Sequence, residues 1–303
     1  MRFFCLCGIF LLGLAVFLPS FQGHAASNPD PLQECHDFVL QKGLDDCLRD
    51  LGLEEAVRRK QLALALVDVT DPGAPRLAMA NGHQMMYAAS LPKIAILLGA
   101  FEQAARGNLD LDDSTIATLT DMIRVSSNRA ATEILNKVGK EALIELLESE
   151  RYRLYDSSGT GGLWVGKEYG KSGAYRRDPL FNLSHGATPF QVARFYYMLQ
   201  TGQLVSPEMS RAMKEILSRP GISHKFVKAL NTARPGSTLY RKSGKWRDFH
   251  ADSVLVERDG RSYIAVGLAH SDQGEWWLRK VILGMDDLIF KGGPSVPTHA
   301  DAG

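Results

Sequence analysis

Net charge is almost absent from this sequence. Its 35 lysine and arginine residues are matched by 34 aspartate and glutamate residues, for a formal charge of +1 at pH 7. This balance gives no electrostatic reason to expect a nucleic acid as a partner. Low-complexity segments and internal repeats are also lacking. A composition of 45% hydrophobic and 23% charged residues is typical of a soluble globular protein with one large core or two lobes.

Cysteine is scarce, with four residues in a chain of 303. So few thiols exclude a disulfide-rich scaffold. No cysteine and histidine have the spacing of metal ligands, so we expect neither a metal nor another cofactor. Cys5 and Cys7 lie in an apolar run at the N-terminus, and only Cys35 and Cys47 lie beyond it.

The apolar run Phe3–Leu18 follows a single basic residue, Arg2. Small residues come after it, with Gly23 and Ala25 at the −3 and −1 positions of a cleavage site. We therefore expect residues 1–25 to be a signal peptide and the mature protein to be periplasmic or secreted. The alternative is an uncleaved anchor, for which the run is short; no stable membrane span is expected after cleavage.

Cys35 and Cys47 would then be the thiols of an exported protein, where cysteines can pair. Closing so short a loop contributes about 3 kcal/mol by the chain-entropy relation. We expect this disulfide; two free thiols on neighbouring helical turns are the alternative.

Hydrophobic patterning predicts strands in the first and last thirds of the chain and helices between them. The predicted strands are 62–70, 76–80, 238–245, 253–258 and 262–269, and the predicted helices include 31–59, 113–123, 127–138, 188–202, 276–290 and one that begins near residue 91. This order predicts an α/β (α+β) fold in which an antiparallel sheet built from both chain ends is flanked by helices. The expected divisions are an α/β lobe at 27–85 plus 235–290, an all-helical insert lobe at 86–234 and a disordered tail at 291–303. The glycine-rich segment 157–173 is either functional or a surface excursion.

Ser90-Leu91-Pro92-Lys93 opens a helix without charges from Ile94 to Phe101. An all-apolar helix is buried, so Lys93 lies where a charged amine is costly. At a helix start, positions i and i+3 share a face, so the Ser90 hydroxyl and the Lys93 amine can reach each other. A serine needs a base to become a nucleophile. Burial, the positive helix end and a second cation would lower the pKa of Lys93 towards neutrality.

Two further motifs follow in order. Ser126-Ser127-Asn128 opens a predicted helix, where serine and asparagine are also good N-caps. Lys242-Ser243-Gly244 lies in a late predicted strand. Its first two side chains can pair with an anion, and its glycine lets a substrate backbone approach the strand edge. The same tripeptide at Lys171-Ser172-Gly173 lies in the glycine-rich segment instead, so we discount it.

Ser-x-x-Lys on a buried helix, Ser-x-Asn opening a later helix and Lys-Ser-Gly on a late strand resemble the serine β-lactamase and penicillin-binding protein superfamily. The resemblance is closest to the class A β-lactamase-related hydrolases and covers roughly residues 55–290, including "HGATPFQVARFYYMLQTGQLVS". It implies an exported monomeric serine hydrolase acting on a β-lactam or related cyclic amide. The alternatives are a D-Ala-D-Ala carboxypeptidase or transpeptidase with a peptidoglycan-like substrate, and a β-lactam sensor that is acylated without turnover.

The resemblance also implies roles for individual residues. Ser90 would be the acylated nucleophile and Lys93 its base. Ser126 would pass a proton to the leaving nitrogen, and Lys242 would be the second cation. The backbone N–H groups of Ser90 and Lys245 would form the oxyanion hole.

On the substrate side, the resemblance implies that Asn128 binds a side-chain amide. It implies that Lys242 and Ser243 hold a carboxylate, next to Gly244. The predicted binding residues are Asn128, Ser243, Gly244 and Lys245, and Lys242 is counted with the predicted catalytic residues.

One feature of the class A enzymes is missing, the glutamate of a Glu-x-x-x-Asn pattern that serves deacylation. Asp178-Pro179-Leu180-Phe181-Asn182 resembles it with Asp178 as the base, but its spacing differs and aspartate is one methylene shorter, where about 1 Å of displacement can cost roughly a hundredfold in rate. A neutral His185 is the second candidate to activate water. Glu168 is expected to be solvated, and His224 and His250 to be structural.

Overall fold

The computed structural model describes residues 32–291. The predicted signal peptide at 1–25 and residues 292–303 of the predicted tail lie outside the described residues, so both stay predictions. No helix between residues 32 and 291 combines the length and hydropathy needed to cross a bilayer.

In the middle of the described chain a group of helices is followed by a group of short strands and then by further helices. In order, the helices are α1 (Phe38–Asp50), α2 (Glu54–Arg58), α3 (Lys93–Ala105), α4 (Asp113–Arg124), α5 (Asn128–Val138), α6 (Lys140–Glu148), α7 (Pro189–Gln200), α8 (Pro207–Leu217), α9 (Lys225–Ala233) and α10 (Gly274–Phe290). The strands are β1 (Leu62–Asp68), β2 (Arg76–Ala80), β3 (Met86–Tyr87), β4 (Tyr155–Asp156), β5 (Gly161–Gly162), β6 (Trp164–Val165), β7 (His185–Ala187), β8 (Thr238–Trp246), β9 (Phe249–Arg258) and β10 (Arg261–His270).

The main sheet has five strands in the order β2-β1-β10-β9-β8. Each strand pairs antiparallel with its neighbours, so the predicted antiparallel sheet built from both chain ends is confirmed. β8 is an edge strand, so the backbone groups on one of its sides are not paired with another strand of this sheet. The division into an α/β lobe and a helical lobe stays a prediction.

Two hydrophobic cores use alternate residues of β1, an interior strand of the sheet, because successive side chains of a strand point to opposite faces. Ala65 and Val67 belong to the core that includes the buried residues of α3 and α7. Leu64 and Leu66 belong to the core that includes those of α1, α9 and α10. The sheet is therefore covered on both faces, and each fully buried leucine contributes about 1.5–3 kcal/mol.

Two predicted elements have different bounds in the structure. The predicted helix 31–59 is two helices, α1 and α2, and its first residues form turns. The predicted strand 253–258 begins at Phe249 and continues through the polar residues His250 and Asp252. The longer strand results from its pairing with β8, which begins at Phe249. Pairing with a neighbouring strand outweighs the low strand preference of polar residues.

The predicted disulfide between Cys35 and Cys47 is wrong, since both remain thiols in the structure. Cys35 precedes α1, and Cys47 lies in its last turns. At 1.5 Å per residue, the helix from Phe38 to Cys47 alone spans about 14 Å, whereas a disulfide needs Cα atoms within about 7 Å. Burial, with Asp50 and Asp287 nearby, raises the pKa of the Cys47 thiol to about 11.

Candidate active site

The three sequence motifs meet at one hydroxyl. Ser126 Oγ lies 2.8 Å from Lys242 Nζ and 3.4 Å from Lys93 Nζ. Residues from the start of α3, the turn before α5 and strand β8 are thus brought together. Ser126 has a φ of 59°, a left-handed backbone that is uncommon outside glycine and that clusters at functional sites.

Lys93 is fully buried at the first position of α3, as predicted. Its Nζ donates to the backbone oxygen of Ser126 at 2.6 Å and to Asn128 Oδ1 at 2.8 Å. Burial lowers the pKa of the amine to about 7. Between residues 32 and 291 no hydrogen bond joins Lys93 Nζ to Ser90 Oγ; the amine is instead hydrogen-bonded to the Ser126–Asn128 segment.

Ser90 lies in a turn that precedes α3, because the helix begins at Lys93 and not near residue 91 as the sequence predicted. The backbone oxygen of Ser90 accepts from Lys93 N at 3.3 Å, which closes a turn with Ser90 at one end and Lys93 at the other. Its neighbour Ala89 has a φ of 50°. Catalytic hydrogen bonds often tighten only in the substrate complex. The turn keeps Ser90 close enough to Lys93 for its hydroxyl to bond to the amine in such a complex.

The lowered pKa of Lys93 predicts a pH dependence. In the acylation that the sequence predicts, with Lys93 as the base, only the neutral amine can accept a proton, so the rate should rise with pH and reach half its limit near pH 7. Below that pH the amine is protonated and acylation slows tenfold per pH unit. Stopped-flow absorbance with a chromogenic cephalosporin between pH 5 and 8 measures this, with circular dichroism at each pH as the control for folding. A flat profile would contradict the role of Lys93.

Lys242 is fully enclosed on β8, with its Nζ donating to the Ser243 backbone oxygen at 2.8 Å. Burial, and then the positive charges of Lys93 and Arg241, hold the pKa of the Lys242 amine well below its usual range. An anionic substrate would favour the charged amine. Ser243 Oγ lies 3.3 Å from His224 Nε2, which fits the hydrogen-bonded role expected of that histidine.

Gly244 has a different structural role from the one that the sequence predicted. A Cβ at this position would lie 2.0 Å from the backbone oxygen of Ala88 and 2.8 Å from Ser90 N. The glycine therefore lets β8 pack against the turn that carries Ser90, instead of only leaving room for a substrate. Lys245, the next residue, is exposed, and its Nζ lies 3.5 Å from Glu275 Oε2.

A cavity of about 260 Å³ lies beside this cluster. Its walls include Ser90, Asn128, Glu168, Tyr169, His185 and Lys245. The glycine-rich segment thus contributes residues 167–170 to the cavity, which assigns it a place at the site and not on a remote surface. No group of three or more His, Cys, Asp or Glu side chains within residues 32–291 is arranged to hold a metal ion.

Tyr169 fixes this segment beside the cluster of Lys93, Ser126 and Lys242. Its ring lies under Lys93 Nζ, 4.5 Å from the ring centroid, and its backbone N–H donates to Thr132 Oγ1 on α5 at 3.1 Å. His185 stacks on the same ring, with centroids 4.3 Å apart. Burial, and then Lys167 and Lys93, lower the pKa of His185 to about 3, so its imidazole stays neutral and is a weak base.

Glu168 is a site residue that sequence reasoning missed. It was expected to be solvated, but its side chain is 26% exposed and pairs with Lys140 at 2.5 Å. It lines the cavity that holds Ser90. Glu168 does not match the Glu-x-x-x-Asn pattern, because Ser172 stands where the pattern has asparagine. Its position in the glycine-rich segment was therefore its sequence signal.

Asp178 does not line this cavity. It is 2% exposed, and its carboxylate accepts from the Tyr155 hydroxyl at 2.8 Å and from the backbone N–H groups of Leu180, Phe181 and Leu183. These four bonds occupy the carboxylate and fold the loop around it. The geometry therefore gives Asp178 a structural part, and the deacylation role predicted for it loses its support.

An Asp178→Asn variant tests this assignment. The asparagine side chain has nearly the size of aspartate, but an NH₂ group replaces one acceptor oxygen. This donor would face backbone N–H groups, which are also donors, so hydrogen bonds are lost. We expect the free energy of unfolding to fall by about 1–3 kcal/mol, as for loss of buried hydrogen bonds, with no increase in the lifetime of any acyl-enzyme. Urea denaturation and intact mass spectrometry measure the two quantities. A long-lived adduct in the variant alone would restore Asp178 as the base.

Comparison with known sequences identifies a family. The profile of the β-lactamase enzyme family matches residues 48–118 and 114–282. No sequence among curated proteins matches this chain.

Solved structures share the fold at low sequence identity. The β-lactamase from Sphaerobacter thermophilus is 15% identical, with a TM-score of 0.65, over 84% of this chain and 99% of that one. A protein named PBP-A is 17% identical, with a TM-score of 0.63, over 85% and 98%. A class A β-lactamase representative from Bacteroides cellulosilyticus is 15% identical, with a TM-score of 0.60, over 87% and 98%.

The family match extends over well more than half of the sequence, and it includes Ser90, Lys93, Ser126 and Lys242. The fold of these solved structures matches the sheet and helices described above. The chain therefore belongs to the β-lactamase enzyme family.

Proposed function

We propose that this protein is an exported active-site serine hydrolase, acylated at Ser90 with Lys93 as the base, that hydrolyses a β-lactam or a related cyclic amide. The observation that carries this proposal is the convergence of the Lys93 and Lys242 amines on the Ser126 hydroxyl, at 3.4 and 2.8 Å. Membership of the β-lactamase family supports a small-molecule substrate. Export rests on the predicted signal peptide at residues 1–25.

In the proposed acylation, Ser90 Oγ forms a bond to the amide carbonyl carbon while neutral Lys93 takes the hydroxyl proton. The N–H groups of Ser90 and Lys245 stabilise the negative charge on the carbonyl oxygen. The C–N bond then breaks, and the leaving nitrogen takes the Ser126 proton. Lys93 returns a proton to Ser126 across their 3.4 Å contact and becomes neutral again.

Binding in this proposal relies on the cationic side of the site. Lys242 and Ser243 hold the substrate carboxylate, and Asn128 binds its side-chain amide. The positive charge of Lys242 is costly while the site is empty, since burial and neighbouring cations lower its pKa. A carboxylate offsets this cost, so the site favours anionic substrates.

For deacylation we propose Glu168 as the base. It takes a proton from a water that attacks the Ser90 ester, and the proton returns to the Ser90 oxygen as the ester C–O bond breaks. The support is its position in the wall of the Ser90 cavity. Neutral His185, with a pKa lowered to about 3, would be a poor base in the same cavity.

A D-Ala-D-Ala carboxypeptidase or other penicillin-binding enzyme is the second candidate. The ion pair between Glu168 and Lys140, at 2.5 Å, favours it because the lysine competes with a water for the carboxylate. A variant of PBP-A, 18% identical to this chain, was solved as an acyl-enzyme with penicillin G. An enzyme of this kind, or a sensor without turnover, would keep its β-lactam adduct.

Incubating the mature protein with a chromogenic cephalosporin, while recording absorbance and intact mass, tests the proposal. Rapid continuing colour without a lasting adduct supports the hydrolase. A lasting adduct on Ser90 supports the second candidate, and release of D-alanine from a D-Ala-D-Ala peptide then separates a carboxypeptidase from a sensor. If the protein produces no colour and forms no adduct, the proposed acylation at Ser90 is overturned.

A further inference from the structure

A third buried lysine is hydrogen-bonded to the backbone of the site. Lys225, the first residue of α9, is fully buried, and its Nζ donates to the backbone oxygen of Gly244 at 2.9 Å. It has a φ of 47°, in the left-handed region that non-glycine residues adopt only when the surroundings hold them there. Nothing in the proposed chemistry of Ser90 and Lys93 uses this amine.

The peptide group that Lys225 contacts is the one that ends in Lys245 N–H. In a planar trans peptide, the Gly244 carbonyl and the Lys245 N–H point in opposite directions. β8 is the edge strand of the sheet, and Gly244 packs against Ser90 N. A chain of dipoles therefore runs from the Lys225 ammonium through this peptide group towards the Ser90 turn.

We propose that Lys225 is a positioning residue that polarises the Gly244–Lys245 peptide group and thereby strengthens the Lys245 N–H as an oxyanion-hole donor. A hydrogen bond to a charged donor is about twice as strong as a neutral one, and hydrogen bonds in a chain reinforce one another. The ammonium also holds the carbonyl, and with it the whole peptide plane, in one orientation. This inference rests on the proposed acylation of Ser90.

Charged groups on three neighbouring elements set the ionisation of Lys225. Burial is the main cause that lowers its pKa to about 8. Asp252 on β9 and Glu275 on α10 favour the ammonium, whereas Arg241 and Lys245 on β8 oppose it. The ammonium is present below about pH 8 and is lost as the pH rises through that value, so its contribution to acylation should fade on the alkaline side.

Two variants and one control test the proposal. Lys225→Met removes the charge at similar size, Lys225→Arg keeps a charge at all working pH values, and Lys228→Met alters an exposed lysine of the same helix. We expect Lys225→Met to slow acylation about tenfold with the substrate dissociation constant unchanged, since complete loss of an oxyanion donor costs about 10²–10³. Lys225→Arg should retain the rate and remove the alkaline decline, and Lys228→Met should match the wild type.

Infrared spectra of an acyl-enzyme with a ¹³C-labelled ester carbonyl give a readout that a merely structural role would not move. The carbonyl stretch should shift to higher frequency in Lys225→Met, and in the wild type as the pH rises from 7 to 9.5, because weaker hydrogen bonds polarise it less. If Lys225→Met fails to fold, the outcome is decided by whether this pH-dependent shift disappears in Lys225→Arg, in which Lys93 and Lys242 still titrate. An unshifted carbonyl in a normally acylated protein overturns the role of Lys225 alone. A wild type that forms no acyl-enzyme overturns the proposed function instead.

Discussion

A Ser90→Ala variant is expected to lose acylation altogether, with neither colour nor a mass adduct after hours with the chromogenic cephalosporin. The Ser90 oxygen is the atom that forms the ester in the proposed mechanism. Removing a nucleophile that acts as a unit with its base costs about 10⁶-fold in rate. Intact mass spectrometry and absorbance, at equal protein concentration, measure the loss.

A matched control for this variant is Ser172→Ala. Ser172 is an exposed serine of the second Lys-Ser-Gly tripeptide, in the same chain but outside the cavity wall. It should keep the wild-type rate and, as a surface substitution, unfold within about 0.5 kcal/mol of the wild type; circular dichroism shows whether Ser90→Ala is folded. An adduct on Ser90→Ala would mean that another residue is the nucleophile.

A Glu168→Gln variant is expected to convert a hydrolase into a protein that traps its own acyl-enzyme. Glutamine has the size of glutamate but cannot accept the proton of water, and a positioned general base contributes about 10²–10⁴-fold. Acylation by Ser90 and Lys93 should change little. Colour should then appear as a burst of one equivalent followed by a slow phase, while the mass adduct persists.

Glu133→Gln provides the control for the loss of an ion pair. Glu133 pairs with Lys137 on α5 at 3.1 Å, much as Glu168 pairs with Lys140, but it does not line the cavity. Its steady-state rate should equal that of the wild type. An unchanged steady-state rate in Glu168→Gln would remove Glu168 from the deacylation step. A persistent adduct in the wild type itself would favour the penicillin-binding alternative.

Features that depend on local pattern were predictable. The uncharged run after Lys93 predicted a buried helix, and α3 is buried from Lys93 to Glu102. The alternation of small and branched residues from Leu62 predicted the interior strand β1. The Ser126-Ser127-Asn128 motif was expected to supply an N-cap, and in the structure it is the Ser127 side chain that caps α5 by accepting from Ala130 N.

Features that depend on the path of loops were not. Asp178 matched a sequence pattern for the deacylating carboxylate, but its side chain is occupied by its own loop. Glu168 matched no pattern, yet it lines the cavity. Spacing along the chain does not determine which way a segment of irregular backbone turns, because each residue there has its own freedom in φ and ψ.

The sequence by itself determined the antiparallel sheet from both chain ends, the burial of Lys93 and the identity and order of the three motifs, because side-chain periodicity encodes which face of an element is buried. Tertiary structure alone decided which carboxylate faces Ser90, why residue 244 must be glycine and which cation lies behind it. Those outcomes depend on where distant segments cross, as when Tyr169 bonds to Thr132 and closes the wall of the cavity. Such contacts join segments that are far apart in the chain, and the local sequence of one segment does not indicate which other segment it will contact.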